Sequence, residues 1–317
     1  MRICGAFFYT MDSTKKPYNK EPFTSEQHLK LLEERNLEVD DRNRAIRYLE
    51  FVGYFRLTGY MFHIQERDGL HRFVDGYTFN DVIQYYRFDK KLRSILSEYL
   101  ERIEVALRAQ LTDKYSLKYG FFWYTNEDFF TDKAVYQRIN DNIAEGFKDL
   151  KEVYLKHFQW TYSNPLPPSN MALETLTFGS LSKLYKGLNG KYEEKMLIAN
   201  QFKLAPTILA EWLVYMNNVR NICAHHSRLW NKIISVDRPT VPTRKKYKFS
   251  GSVPEDFNRT VYGVISMMER FLQNINPHNK LIFKITELLN QYPLIDPKDM
   301  GFPEDWKDNP AWKIEEH

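Results

Sequence analysis

Cysteine is almost missing from this chain of 317 residues: Cys4 and Cys223 are the only two. Two thiols cannot build a disulfide framework, and their scarcity fits a reducing compartment. Long apolar runs are missing as well. No uncharged stretch approaches the ~18 residues that a membrane-spanning helix needs, so no membrane association is expected. Behind Arg2, the run Ile3-Cys4-Gly5-Ala6-Phe7-Phe8-Tyr9 resembles the start of a signal peptide. That run is short, and Lys15, Lys16 and Pro17 follow it without a small-residue cleavage site. The expectation is a cytoplasmic protein, with Met11 an alternative start to Met1. Net charge is also scarce: 45 basic residues against 41 acidic ones leave +4. Such a balance does not by itself announce a nucleic-acid binder. No tandem repeat is visible. The excess lies in aromatics, which make up 15% of a chain that is 43% hydrophobic and 27% charged. These proportions suit a soluble globular protein able to bury a sizeable core.

Helical signals run almost throughout. Thr24 and Gln27 have capping-box spacing ahead of Leu29, Leu32 and Leu37, and Asp40-Asp41 opens a second helix through Ala45, Ile46 and Leu49. Tyr54-Phe55-Arg56-Leu57-Thr58-Gly59-Tyr60 is ambiguous between a short helix and an irregular packed segment. Between Gly76 and Gly120 no Pro or Gly intervenes, and Leu92, Leu96, Tyr99, Ile103, Leu107 and Leu111 recur at spacings of three and four. That pattern predicts a spine helix on the order of 50 Å long. One helix is predicted over about 133–157, a loop at Pro165, Pro167 and Pro168, and a further helix, led into by Leu176-Thr177-Phe178-Gly179-Ser180-Leu181, that ends near the glycines at 187 and 190. Pro206 suits a first helical position, opening a helix to about His226. Residues 237–254 read as a loop or hairpin, and two further helices are predicted at about 255–275 and 279–291. The expected architecture is an all-α bundle with an N-terminal helical extension and a long spine helix. Its divisions are an N-terminal tail (1–22), an N-terminal helical region (23–75), a main helical domain (76–292) and an acidic Pro-rich tail (293–317).

One segment stands apart: Asn217-Asn218-Val219-Arg220-Asn221-Ile222-Cys223-Ala224-His225-His226-Ser227-Arg228-Leu229-Trp230-Asn231. On an ideal wheel with Met216 at zero, Val219 and Cys223 fall within about 60° and form an apolar stripe. Asn221 falls near ~140° and His225 near ~180°, one turn apart, where the amide can orient the imidazole. His226 falls near ~−80°, beside the stripe, which predicts a packed side chain. Arg220 lies roughly 140° from His225. To share one site, the helix must end there or another chain must complete the site.

Arg220, Asn221 and His225 reproduce the Arg-x4-His signature of the HEPN superfamily in its RN-x-x-AH form. The string Val219–Asn231 resembles the abortive-infection proteins of the AbiD/AbiF type. So do Phe23–Tyr60, Asp89-Lys90-Lys91-Leu92-Arg93, Glu101-Arg102-Ile103-Glu104-Val105-Ala106-Leu107-Arg108 and Leu176-Thr177-Phe178-Gly179-Ser180-Leu181. The resemblance covers roughly residues 15–290. It implies a HEPN helical fold, metal-independent RNA cleavage without a cofactor, and a homodimer whose paired motifs build a composite site. The chemistry suits these side chains. RNA carries its own 2′-hydroxyl nucleophile, histidine titrates near neutrality, and arginine holds a phosphate through paired hydrogen bonds. The expected assignment is His225 for proton transfer, Arg220 for the scissile phosphate and Asn221 for orientation, with His226 an alternate.

Other readings compete. Arg220 and His225 suit a helix C-terminus on charge grounds alone. Cys223, His225 and His226 lack a fourth ligand at zinc spacing, and no metal site is expected. Glu101, Arg102 and Arg108 are candidate supporting groups for the site, or solvated ion pairs. Arg228, Lys232, Arg244, Lys245, Lys246 and Lys248, together with Arg220 and Arg238, face Asp237 alone between Asn218 and Ser250. The first six are candidate RNA-backbone contacts. Two functions follow. One is an endoribonuclease acting in antiphage abortive infection or as a growth-arresting toxin, restrained by a protein or RNA antitoxin. The alternative is a non-catalytic HEPN module that binds RNA or protein in a defence or toxin–antitoxin system.

Overall fold

Thr24 forms its capping box as the spacing predicts. Its Oγ1 accepts from the Gln27 N–H at 3.2 Å, while Gln27 Oε1 accepts from the Thr24 N–H at 2.8 Å. A computed structural model describes residues 17–149, 151–234, 238–246, 248–249 and 253–312. Among these the fold is all-α, with isolated bridges and no named strand. Two compact units divide the chain, residues up to Ile83 and residues from Gln84 onward.

The N-terminal unit holds α1 (Ser25–Glu34), α2 (Arg42–Tyr48) and α3 (Tyr54–Met61). The ambiguous segment at 54–60 is therefore helical. A π-helical turn, Leu49–Gly53, separates α2 from α3, and Gly53 adopts φ 92°. Only glycine takes that backbone cheaply. Leu29, Leu32, Ala45, Leu57 and Ile64 form much of this unit's core.

The spine is α4 (Phe79–Tyr119), 41 residues and so about 60 Å long. The six apolar positions predicted from its period are buried to within 1%. The helix predicted over 133–157 is instead two, α5 (Lys133–Lys148) and α6 (Val153–Thr161). Packing gives the reason. On a straight helix Phe147 and Phe158 would stand ~16 Å apart; folded back, their rings meet at 6.0 Å over Leu155.

After Pro168 come α7 (Ser169–Ala172), α8 (Phe178–Gly187) and α9 (Glu193–Gln201), then α10 (Pro206–Ala224), α11 (Val261–Ile275) and α12 (Leu281–Gln291). Thr177 caps α8, and Pro206 opens α10 as expected. Helix α8 runs against α10 where Gly179 meets Asn217; a Cβ there would sit 3.3 Å from the amide. The described part of 237–254 forms neither helix nor hairpin. Beyond Leu294, Phe302, Trp306 and Trp312 pack together, and Phe302 and Trp312 lie against Tyr262 of α11.

Candidate active site at the end of α10

Helix α10 forms on a continuous apolar stripe. Leu209, Trp212, Leu213, Met216, Val219 and Cys223 are all buried. Burial also pushes the Cys223 thiol up to about 11, so it is protonated and unreactive at neutral pH. The helix ends inside the motif. His225 is the C-cap, with φ −83° and ψ 8°. The N–H of His226 donates to the Cys223 carbonyl at 3.1 Å, and that of Ser227 to the Ile222 carbonyl at 3.0 Å. Those two bonds define a Schellman turn, whose left-handed position is usually glycine. Here His226 occupies it, at φ 55°. A bulky residue in that region costs on the order of 1–3 kcal/mol and persists only when its surroundings hold it.

The next residues are held from α4. Asp89 Oδ1 accepts from the Leu229 and Trp230 N–H groups at 3.0 and 2.7 Å. Arg93 pairs with Asp89 and donates to the Ser227 carbonyl at 3.3 Å. Both side chains are buried. Tyr85, one turn earlier, stacks on Trp230 with ring centres 4.7 Å apart. The backbone on the far side of the histidines is thus bonded to a buried ion pair, which offsets the strain at His226. In the sequence Asp89 and Arg93 stand out only as part of a segment that resembles the abortive-infection proteins. Their four-residue spacing was the available signal for a pair, but nothing in it named the turn as their target.

The predicted residues take these positions. Arg220 and Asn221 lie in the last turn of α10 and are part-exposed, while His225 and His226 are exposed at its end. Among the described residues, no side chain bonds the Arg220 guanidinium, and the Asn221 amide makes no hydrogen bond to the His225 ring. What joins Asn221 to His225 is the helical bond from the His225 N–H, at 2.9 Å. The packed position predicted for His226 is overturned. The wheel assumed helix beyond Ala224, whereas the left-handed turn swings the side chain into solvent.

Glu101 is exposed on α4. Arg102 pairs with Glu98 at 3.0 Å, and Arg108 pairs with Glu104 at 2.9 Å. Arg108 also donates to the Leu173 and Leu176 carbonyls at 3.1 and 3.2 Å, so it fastens the approach to α8. Arg228 and Lys232 are part-exposed just past the motif. Arg244, Lys245 and Lys246 form an exposed turn, closed by the Lys248 N–H donating to the Arg244 carbonyl at 2.9 Å. Among the described residues, no group of three or more His, Cys, Asp or Glu side chains is arranged to hold a metal ion. No helix there is long and apolar enough to cross a membrane.

Comparison with known proteins gives one family match: residues 47–231 fit the family described as Abi-like protein. The matched span runs from α2 to just past the clamped turn. No curated protein matches the chain, and no solved structure does.

Proposed function

The chain belongs to the Abi-like family of abortive-infection proteins, and on that premise we propose that it is a metal-independent endoribonuclease of HEPN type. One observation carries the reading: an arginine without a side-chain partner among the described residues and an exposed histidine sit at a helix end that a buried ion pair holds in a strained shape. Backbone strain of this kind clusters at functional sites, where the surrounding structure holds it in place.

The chemistry follows from these groups. The 2′-hydroxyl attacks the adjacent phosphorus, the bond from phosphorus to the 5′ oxygen breaks, and the products end in a 2′,3′-cyclic phosphate and a 5′-hydroxyl. His225 takes the 2′ proton, and a second, protonated His225 returns one to the leaving oxygen. Arg220 holds the phosphate oxygens as their charge grows. Two copies of the motif supply the two histidines, so the working form is a homodimer. Asn221 orients groups in that paired site, and Arg228, Lys232, Arg244, Lys245, Lys246 and Lys248 contact the RNA backbone. In the cell a protein or RNA antitoxin, or a switch that phage infection releases, restrains the activity.

The test is cleavage of end-labelled RNA in the presence of EDTA. The wild-type chain is expected to cut and leave cyclic-phosphate ends, whereas His225→Ala falls by at least a hundredfold, the lower end of what general acid–base catalysis contributes. Equal cutting by the variant, or loss of cutting in EDTA, overturns the proposal.

A further inference from the structure

The N-terminal unit holds a groove of about 1080 Å³, far from spent on packing. Its walls are aromatic: Tyr18, Phe23, His28, Tyr54, Phe55 and Phe62. His28 lies flat on Tyr54, ring centres 4.0 Å apart and planes 5° from parallel, and Phe23 flanks it at 5.5 Å. Burial lowers the His28 pKa, which favours a neutral ring. Phe55 and Phe62 stand 90% and 76% exposed. Seven residues apart on α3 and the turn that continues it, they lie within about 20° on a helical wheel. Leaving two phenyl rings in water forfeits about 1.5–3 kcal/mol each relative to burial. The floor includes Gly53, where a Cβ would meet nothing within 4 Å. It closes the π turn, a backbone insertion that concentrates at functional sites.

The rim has an excess of positive charge. Lys20 and Arg35 line the groove against Glu21 alone, and Arg35 reaches the Tyr54 hydroxyl at 3.4 Å. Six other carboxylates of this unit are engaged elsewhere: Glu26 and Glu33 with Arg42, Glu66 and Asp68 with Arg72, and Asp41 and Asp81 on backbone N–H groups. Apart from Leu31, the wall offers flat ring faces rather than branched aliphatic side chains. Flat faces beside cations suit a nucleobase with its phosphate better than an apolar peptide.

We propose that this groove binds unpaired nucleotides of RNA, stacking bases on Phe55 and Phe62 while Lys20 and Arg35 meet the phosphates. The inference rests on the preceding reading only in taking RNA as the ligand; it requires no cleavage.

The experiment titrates full-length His225→Ala protein, which spares the probe, into a fluorescein-labelled 12-nucleotide oligouridine and into a 12-base-pair RNA duplex. Anisotropy reports affinity. The single strand is expected to bind more tightly than the duplex. Adding Phe55→Ala and Phe62→Ala should weaken single-strand binding by on the order of tenfold or more, with the salt slope kept. Lys20→Ala should instead reduce the salt slope by about one. Both phenylalanines are exposed, so circular dichroism should show unchanged helicity. Single-strand affinity within twofold of the parent overturns the proposal, as does equal weakening on the duplex. RNA affinity kept while self-association is lost would make the face a protein contact and overturn it too. A chain that binds here yet does not cut keeps this proposal and loses the nuclease reading.

Discussion

Asp89–Arg93 and Glu98–Arg102 are acid–base pairs of the same four-residue spacing on one helix, α4, and they sit in opposite surroundings. The first pair is 0% and 6% exposed at the side chains, the second 40% and 43%. Asp89 and Arg93 together take up two N–H groups and a carbonyl of the turn that follows the α10 motif. Glu98 and Arg102 engage each other, Lys284 at 2.6 Å and the face of Tyr99. Spacing decides only whether a pair can form. What the pair does depends on burial and on the backbone it reaches, because a charge taken out of water must be fully compensated. Where α4 is buried beneath the motif, its charges act as clamps; where it is open, they remain surface pairs.

The sharpest way to break that contrast is Asp89→Ala. It leaves the Arg93 guanidinium buried without its carboxylate and strips the acceptor from two N–H groups. The expected cost is about 3–5 kcal/mol, read as a drop in Tm on the order of 10 °C. A Tm within 2 °C of the parent would remove the clamp from the account. Arg108→Ala comes next. Arg108 is 13% exposed and bonds two carbonyls as well as Glu104, so its loss should cost about 1.5–3 kcal/mol in chemical denaturation. Cleavage by this variant should survive at temperatures where it is folded. A selective loss of turnover in folded protein would instead tie Arg108 to the site.

Much of the fold was legible in the sequence, because α4 and α10 carry apolar stripes of helical period and Thr24, Asp41 and Pro206 mark helix starts. What escaped had weak local signals. In α9 the apolar residues Met196-Leu197-Ile198-Ala199 are consecutive, so no stripe of period 3.6 appears; Ile198 and Ala199 are buried whereas Met196 is 48% exposed. The break between α5 and α6 answers to Phe147 meeting Phe158, a tertiary contact. At the candidate site the residue types at 220, 221 and 225 and the approximate end of α10 were readable, but the left-handed turn that closes the helix was not. A histidine at the left-handed position defies the usual glycine signal, and that error misplaced His226. The Asp89–Arg93 pair was equally hidden, since a partner ~140 residues away leaves no local mark.

Arg102→Ala should have the smallest effect, and it tests the other side of the comparison. The variant loses an exposed ion pair, worth about 0.2–1 kcal/mol, and a contact over Tyr99 at 4.9 Å. Glu98 keeps Lys284, so no carboxylate is stranded. The expected total is under about 1 kcal/mol at low salt. Raising salt to ~1 M should erase most of it, because screening then acts within ~3 Å. The cost of Asp89→Ala should persist at that salt, since buried pairs are poorly screened. Salt-insensitive destabilisation by Arg102→Ala, on the scale of Asp89→Ala, would show that exposure does not separate these pairs. A salt response confined to Arg102 would leave the clamp as the feature that singles out the turn beneath the histidines.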